Sequence, residues 1–412
     1  MSFFGRQVVI AALTANALRP LRSFRSGVIS FLLGFVSTEL APQLLVATSL
    51  DAAAHLPPRR RHVPGLVLAC FSMLGMGWLV RQSRRSRVLL EDALVQGLGA
   101  ESTEQLDAPT PAERATRWRR FLNPFGLRDA RVSVQRDVAY SEGGRRARLD
   151  IYRPAQGEGL EHAPVLVQVH GGGWTVGQKE HQALPLMHYL AAQGWVCVAV
   201  NYRLAPRHPF PAQIIDVKRA IAWVKEHIAE YGGDPDYVVI TGGSAGGHLA
   251  ALAALTPGDP AYQPGFEDSD TSVQACVPVY GVYDFAGATG LRSATQMRDL
   301  FLAPRVLRKR WRDAPEEFEA ASPILRVTPE APDFFVLHGT HDTLVDVNQA
   351  RLFVAELRRT SRASVVYAEL PGTQHAFDFF HSIRSGYMVS TVGRYLTWHW
   401  NRHREGLDVE VS

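Results

Sequence analysis

Thr241-Gly242-Gly243-Ser244-Ala245-Gly246-Gly247 follows an apolar, β-branched run, Tyr237-Val238-Val239-Ile240, and precedes an Ala/Leu-rich run from Leu249 to Leu255. Its small residues fall where a strand turns sharply into a helix. Such a turn holds Ser244 in a strained backbone conformation, and the strand behind and the helix ahead pack too closely to leave room for side chains at Gly242 and Gly246. The serine hydroxyl then stands at the carboxyl end of a sheet, above a helix N-terminus that favours developing negative charge. A Gly-rich strand-to-helix turn also occurs with no chemistry attached, so the motif needs partners elsewhere in the chain.

Working outward, short apolar runs alternate with helical patterns. Val165 to Val169, Trp195 to Val200, Val238 to Thr241, Val273 to Val279, Phe334 to Leu337 and Val365 to Leu370 have the length and composition of strands buried on both faces. Segments 179–193, 212–229, 245–255 and 347–359 carry helical spacing. Ahead of them, Val132-Ser133-Val134 and Ala147 to Tyr152, separated by Glu142-Gly143-Gly144, predict an antiparallel pair. The expected fold class is α/β: a doubly wound, mostly parallel central sheet with helices on both faces. No internal repeat is present.

Directly after the first of the buried runs comes His170-Gly171-Gly172-Gly173-Trp174. Three consecutive glycines at a strand's carboxyl end allow the backbone to turn its amides into open space, as an oxyanion hole requires. A phosphate loop would end in Lys-Ser or Lys-Thr, and none follows. Ahead of a downstream G-x-S-x-G, the glycine run points to nucleophilic catalysis by serine.

Together these residues resemble the hormone-sensitive-lipase-like branch of the α/β-hydrolases, the bacterial family IV esterases. Asn201-Tyr202-Arg203-Leu204-Ala205-Pro206, Phe210-Pro211-Ala212, Asp216 and Gly232-Gly233-Asp234-Pro235 match the same pattern. The likeness covers roughly residues 130–402, and the whole chain is similar to mycobacterial-type lipolytic esterases. It implies a triad in the order Ser, acid, His. Asp342, at the tip of the loop after Phe334 to Leu337, opens a D-x-L-x-D run and is the expected acid; the competing Asp346, just before a helical run, suits an N-cap. His375, beyond the last strand, is the expected base. The resemblance further implies oxyanion donors at the amides of Gly172, Gly173 and Ala245, with no metal and no organic cofactor. The expected activity is hydrolysis of an acyl ester, small or lipid-borne, through an acyl-enzyme. An amidase or aryl formamidase, an acyltransferase, and a non-catalytic binding protein remain as alternatives on this fold. Two positions depart from the family: Gly243 where it usually has Asp, and Arg207 where it usually has Glu.

Of the 15 histidines, most must be structural. His170 is expected to orient the glycine loop, His338 and His341 to pack beside the acid, and His248 to be a packed helix residue. None has metal-ligand spacing.

The N-terminal part differs from the rest. The chain carries 44 Lys+Arg against 40 Asp+Glu, yet its first 130 residues contain arginine and no lysine. These arginines flank apolar runs rather than interleaving with exposed aromatics, which excludes a nucleic-acid footprint. Residues 28–50 are largely apolar, and Val63 to Val80 carries no charge between Arg59-Arg60-Arg61 and Arg81. A helix of that length reaches about 27 Å, near the lower limit for crossing a bilayer. Residues 1–97 therefore read as an apolar helical region, either membrane-associated through 28–80 or a cap packed on the enzyme. Residues 98–130 read as a linker and cap entry, and 131–412 as the catalytic domain with a cap insertion at about 284–322. The expected location is a membrane, that of the cell envelope included, with the cytoplasm as the alternative. The three cysteines, Cys70, Cys197 and Cys276, lie in apolar sequence and are expected to be buried.

Overall fold

The computed structural model describes residues 1–56, 62–106, 120, 122–156 and 160–410. Four helices come first: α1 (Phe3–Leu18), α2 (Phe24–Glu39), α3 (Ala41–Ala53) and α4 (Val63–Leu98). A single turn of helix at Ala100–Glu104 falls inside the expected linker, and 107–119 lie outside the described residues.

The strands are β1 (Val132–Ala139), β2 (Arg148–Pro154), β3 (Ala163–Val169), β4 (Val196–Val200), β5 (Gly233–Gly243), β6 (Ala275–Val279), β7 (Asp333–Gly339) and β8 (Val365–Leu370). They form one sheet of eight strands in the order β1-β2-β4-β3-β5-β6-β7-β8. β1 and β2 pair antiparallel, as do β2 and β4, and every other pairing is parallel. This is the doubly wound sheet expected from the alternating runs. Helices α5 (Leu184–Ala191), α6 (Ala212–His227), α7 (Ala245–Leu255), α8 (Val347–Thr360) and α9 (Ile383–Glu410) cover its faces.

Strand alternation divides the core in two. Val165, Val167 and Val169 face one side with Ile214, Val217, Leu249 and Phe353, from α6, α7 and α8. Leu166 faces the other with Leu186, Met388 and Val392, from α5 and α9. Every residue of β3, β4 and β6 is buried, which is why these strands read as continuous apolar runs.

Register positions the site. Val169 lies beside Gly242, Gly243 beside Val279, Val279 beside Leu337, and Gly339 beside Leu370. The loops that follow β3, β5, β7 and β8 therefore leave the sheet at one level, along its carboxyl edge.

Three local readings change. The helix expected over 179–193 is confined to Leu184–Ala191, with Pro185 in its first turn. Lys179 is instead drawn under the sheet edge, its Nζ 2.9 Å from both Asp137 and Asp150. The apolar run Val63 to Val80 is the first half of a helix that continues for 36 residues, through the arginines to Leu98. Its second half places Leu90, Ala93 and Leu94 in the core beside Val366 and Leu396. Cys197 and Cys276 are buried as expected, but Cys70 is exposed, because the small residues of α4 that pack inward are Gly65, Ala69, Ser72 and Gly75.

Candidate active site

Ser244 adopts φ 59° and ψ −122°, a region costly for a residue with a side chain and kept only where the surroundings enforce it. The surroundings are tight. A Cβ on Gly242 would lie 2.4 Å from the Gly246 carbonyl, and one on Gly246 would lie 2.0 Å from the Val169 carbonyl. The glycines are thus required by the approach of β3, β5 and α7, and the serine amide donates to Val279 O at 3.0 Å.

The glycine loop after β3 reaches the same point. A Cβ on Gly171 would come within 3.1 Å of the Ser244 Cβ. Gly171 N donates to Gln182 Oε1 at 2.6 Å, whereas the amides of Gly172, Gly173 and Ala245 donate to no described residue. Gly172 and Gly173 have φ of 117° and 58°, and the φ at Gly172 turns its carbonyl inward to accept from Val176 N at 3.0 Å. His170 orients this loop: its Nδ1 donates to Gly171 O at 2.7 Å, and its ring stacks on Tyr202 at 4.2 Å. Burial pushes His170 down to about 4.

Asp342 and His375, from the loops after β7 and β8, are brought together. His375 Nδ1 donates to Asp342 Oδ2 at 2.6 Å, and both side chains are buried. The other carboxylate oxygen accepts from Leu344 N at 2.9 Å and Val345 N at 2.8 Å. Burial alone would raise this carboxyl. The charge of His375 and the hydrogen bonds from His338 and His375 outweigh that cost and hold it far below the usual carboxylate range. His338 Nε2 lies 3.3 Å from Asp342 Oδ2 and 3.1 Å from Val345 O. Asp346 caps α8, accepting from Asn348 N at 3.0 Å. His248 is a packed helix residue, accepting from Trp174 Nε1 at 3.2 Å through Nδ1 and donating to Ala321 O at 2.8 Å through Nε2. Its burial lowers it to about 3.

Several neighbours carry no local signal in the sequence. Tyr280, just after β6, lies with its ring 4.4 Å from that of His375 and donates its hydroxyl to Asp378. A Cβ on Gly243 would sit 2.7 Å from the Tyr280 hydroxyl oxygen. The tyrosine thus fills the space that the family's Asp would enter, which accounts for the departure at that position. The second departure, Arg207, is exposed; its loop is held instead by Arg203, whose Nε and terminal nitrogen grip Asp216 at 2.7–3.0 Å. Gln374 Oε1 accepts from Thr343 N and His375 N, each at 2.9 Å, and so ties the acid loop to the histidine loop.

Two aromatic side chains border the site from outside the sheet. Phe31 of α2 meets the His375 ring edge-on at 5.8 Å. Phe301 belongs to a π-helical stretch, Arg298–Leu307, within the expected cap insertion. Its ring lies 3.1 Å from where a Cβ on Gly173 would be. Among the described residues, no three His, Cys, Asp or Glu side chains are grouped to hold a metal.

The sheet order and the loops along its carboxyl edge define an α/β-hydrolase. A family model described as BD-FAE matches residues 149–357. The chain is 47% identical to the probable carboxylic ester hydrolase LipM of Mycobacterium tuberculosis, over 94% of this chain and 91% of that protein. Esterase LipQ of the same organism is 46% identical over 78% of this chain and 76% of its own length. Among solved structures, the butyrate-bound esterase Est2 of Thermogutta terrifontis is 25% identical, with a TM-score of 0.52, covering 69% of this chain and 95% of that one. Esterase B of Lactobacillus rhamnosis shares the fold, with a TM-score of 0.58 at 21% identity over 73% of this chain and 96% of that one. The chain belongs to the mycobacterial-type esterases of the hormone-sensitive-lipase-like branch, and it is a carboxylic ester hydrolase.

Proposed function

We propose that Ser244, Asp342 and His375 are the nucleophile, acid and base of this esterase, and that Gly172, Gly173 and Ala245 supply its oxyanion hole. The observation that carries the reading is the contact between the strained Ser244 and the glycine loop, 3.1 Å from a Cβ on Gly171. The contact supports an oxyanion role for the nearby amides of Gly172, Gly173 and Ala245, which donate to no described residue.

His375 takes the proton of Ser244 as its oxygen attacks the acyl carbonyl, and the amides receive the negative charge that develops on the carbonyl oxygen. Asp342 holds the imidazole in the tautomer with the proton on Nδ1 and stabilises the imidazolium. The alcohol leaves with the proton from His375. Water then attacks the acyl-enzyme, giving its proton to the same histidine, and Ser244 is regenerated. Each of these steps uses groups of the chain itself and water.

Under this proposal Phe31 of the N-terminal helices, beside His375, and Phe301 of the cap insertion at about 284–322, beside Gly173, line the acyl pocket. In this reading residues 1–97 and that insertion act together as the cap, and 131–412 carry the chemistry. The substrate is an acyl ester with an apolar chain, and residues 28–80 associate with a membrane. Support for the last point comes from α4, which is long and apolar enough to cross a bilayer.

The test is hydrolysis of p-nitrophenyl esters of graded chain length by the full-length protein and its Ser244→Ala variant. The variant should lose at least about 10⁴-fold in kcat. Residual turnover near the parent rate would refute Ser244 as the nucleophile.

A further inference from the structure

The first four helices are arranged inside out. Phe3 meets Gly65 and Thr14 meets Gly75, so α1 and the first half of α4 run side by side in one direction. α3 returns between the same two levels: Ala41 clusters with Ala17 and Leu79, and Ser49 Oγ donates to Met73 Sδ at 3.3 Å. At 1.5 Å per residue, α1 is about 24 Å long and Val63 to Val80 about 27 Å. The far end of this bundle is polar: Arg6 pairs with Asp51 at 2.7 Å, and Gln7 donates to the same carboxylate at 2.8 Å.

Between the two ends the three helices carry no charged residue: none in 7–18, 41–50 or 63–80. The polar side chains turn inward instead. Gln7, Thr14, Thr48 and Ser72 are at most 1% exposed, while Val8, Val9, Val46, Leu50, Val67 and Leu74 are 43–78% exposed. Thr14 and Ser72 donate to carbonyls one turn back, on their own helices. Water would favour the opposite arrangement, and an exposed apolar surface of this extent marks an interaction site. Small residues where helices touch, polar side chains turned within and apolar side chains without are what a hydrocarbon solvent selects.

The near end supplies the charge. Arg81, Arg84, Arg85 and Arg87 follow the apolar half of α4, are exposed, and pair with no carboxylate among the described residues. A cluster of unpaired arginines at the edge of an apolar slab complements anionic lipid headgroups. α2 does not continue the bundle: it meets α3 at 78°. It turns Val28, Ile29, Leu32 and Leu33 outward, and lays Phe31 against His375 on its other side.

We propose that α1, α3 and the first half of α4 form a foot embedded in an anionic bilayer, with α2 lying in the headgroup plane above the His375 loop. The active site then opens at the membrane surface, and its substrates are esters dissolved in the bilayer. Only this substrate clause rests on the roles assigned to Ser244 and His375; the embedding is tested without activity.

Cys70 supplies a natural probe, since it is exposed near the middle of the apolar run while Cys197 and Cys276 are buried. Full-length protein, labelled there with a fluorophore, is reconstituted into phosphatidylcholine/phosphatidylglycerol vesicles. The protein should float with the vesicles after an alkaline carbonate wash. The label should be quenched more by lipid carrying a nitroxide deep in the acyl chain than by a headgroup nitroxide, and should be insensitive to aqueous iodide. Sedimentation after carbonate, or quenching by iodide, overturns the proposal. So does a lipid-free dimer whose label is already shielded from iodide, which would assign the face to a second copy of the chain.

Changing Arg81, Arg84, Arg85 and Arg87 to Gln should reduce binding to the anionic vesicles by about fivefold per charge and leave purely zwitterionic vesicles unaffected. An unchanged preference for anionic vesicles overturns the headgroup assignment. The Ser244→Ala variant should insert as the parent does, so a parent that inserts but hydrolyses no ester counts against the esterase roles alone.

Discussion

Glu39 and Arg384 form an ion pair at 2.5 Å with side chains at most 1% exposed, one at the end of α2 and the other at the start of α9. Arg384 also donates to the carbonyls of Pro371 and Gly372, and Ser382 Oγ donates to Glu39 at 2.7 Å. The pair therefore joins the N-terminal helices to the backbone that leads into His375. Replacing Glu39 by Gln keeps the shape and leaves a buried guanidinium uncompensated, a loss of about 3–5 kcal/mol. With an unfolding entropy of about 2.1 cal/mol/K per residue, a chain of 412 residues carries about 0.87 kcal/mol/K, so Tm should fall by about 3.5–6 °C. Scanning calorimetry at a fixed scan rate measures this beside ester hydrolysis, where kcat should fall as the 371–375 loop loosens. The double variant Glu39→Gln/Arg384→Met removes the stranded charge and should recover most of the lost stability. A Tm within 1 °C of the parent for Glu39→Gln, with unchanged kcat, would refute the idea that this pair fixes α2 to the histidine loop.

Acid sensitivity should come from His170 and His248, buried and neutral with values near 4 and 3. Each lies below the unfolded value near 6.5, so the contribution is full above that pH and is lost as pH falls toward the folded values. Stability should drop by up to about 1.4 kcal/mol per pH unit for each; His248→Gln should flatten the slope between pH 6 and 4 in urea titrations, and an unchanged slope would clear this residue. Gly172→Ala places a methyl 2.1 Å from the Val176 carbonyl at a φ of 117°, which should displace the loop and lower kcat by about 10²–10³ while leaving the overall fold measurable by circular dichroism. Gly243→Asp, which restores the family's usual residue, should destabilise by about 1–3 kcal/mol through overpacking on Tyr280. The same change should cost less in a Tyr280→Ala background, and equal costs in the two backgrounds would show that Tyr280 is not what excludes the side chain.

The parallel sheet was legible because β3, β4 and β6 are buried throughout and so appear as unbroken apolar runs. The elbow was legible because its glycines answer to backbone contacts of about 2.0–2.4 Å, which few other residues could survive. Asp342 and His375 sit 33 residues apart on separate loops, and their 2.6 Å hydrogen bond follows from the pairing of β7 with β8. Only the order of motifs along the chain could suggest it in advance. Tyr280, Gln374 and Phe31 were not legible, since each acts through a partner brought from elsewhere, Asp378, Thr343 and His375 respectively. A tyrosine after a buried strand has no local mark that distinguishes a packed ring from one that occupies a neighbouring position's space.

The N-terminal helices show where a sequence pattern is ambiguous for a physical reason. An apolar run of 18 residues fits a protein core or a bilayer equally well, because both are apolar solvents for a helix. What separates them is the direction in which the few polar side chains point. In α4 that direction changes meaning along one helix. Leu90, Ala93 and Leu94 face the sheet in its second half, the inward apolar stripe of a helix packed on a soluble domain. In its first half the inward positions are the small residues Gly65, Ala69, Ser72 and Gly75 together with Met76 and Leu79, and Val67, Phe71 and Leu74 face out. The outward face changes across Arg81 to Arg87, and under the proposed embedding one continuous helix passes there from the environment of a lipid to that of a core. In the embedding proposed above, such a helix fixes the distance between the catalytic domain and the membrane surface, and with it the depth at which an ester must lie to reach Ser244, the proposed nucleophile.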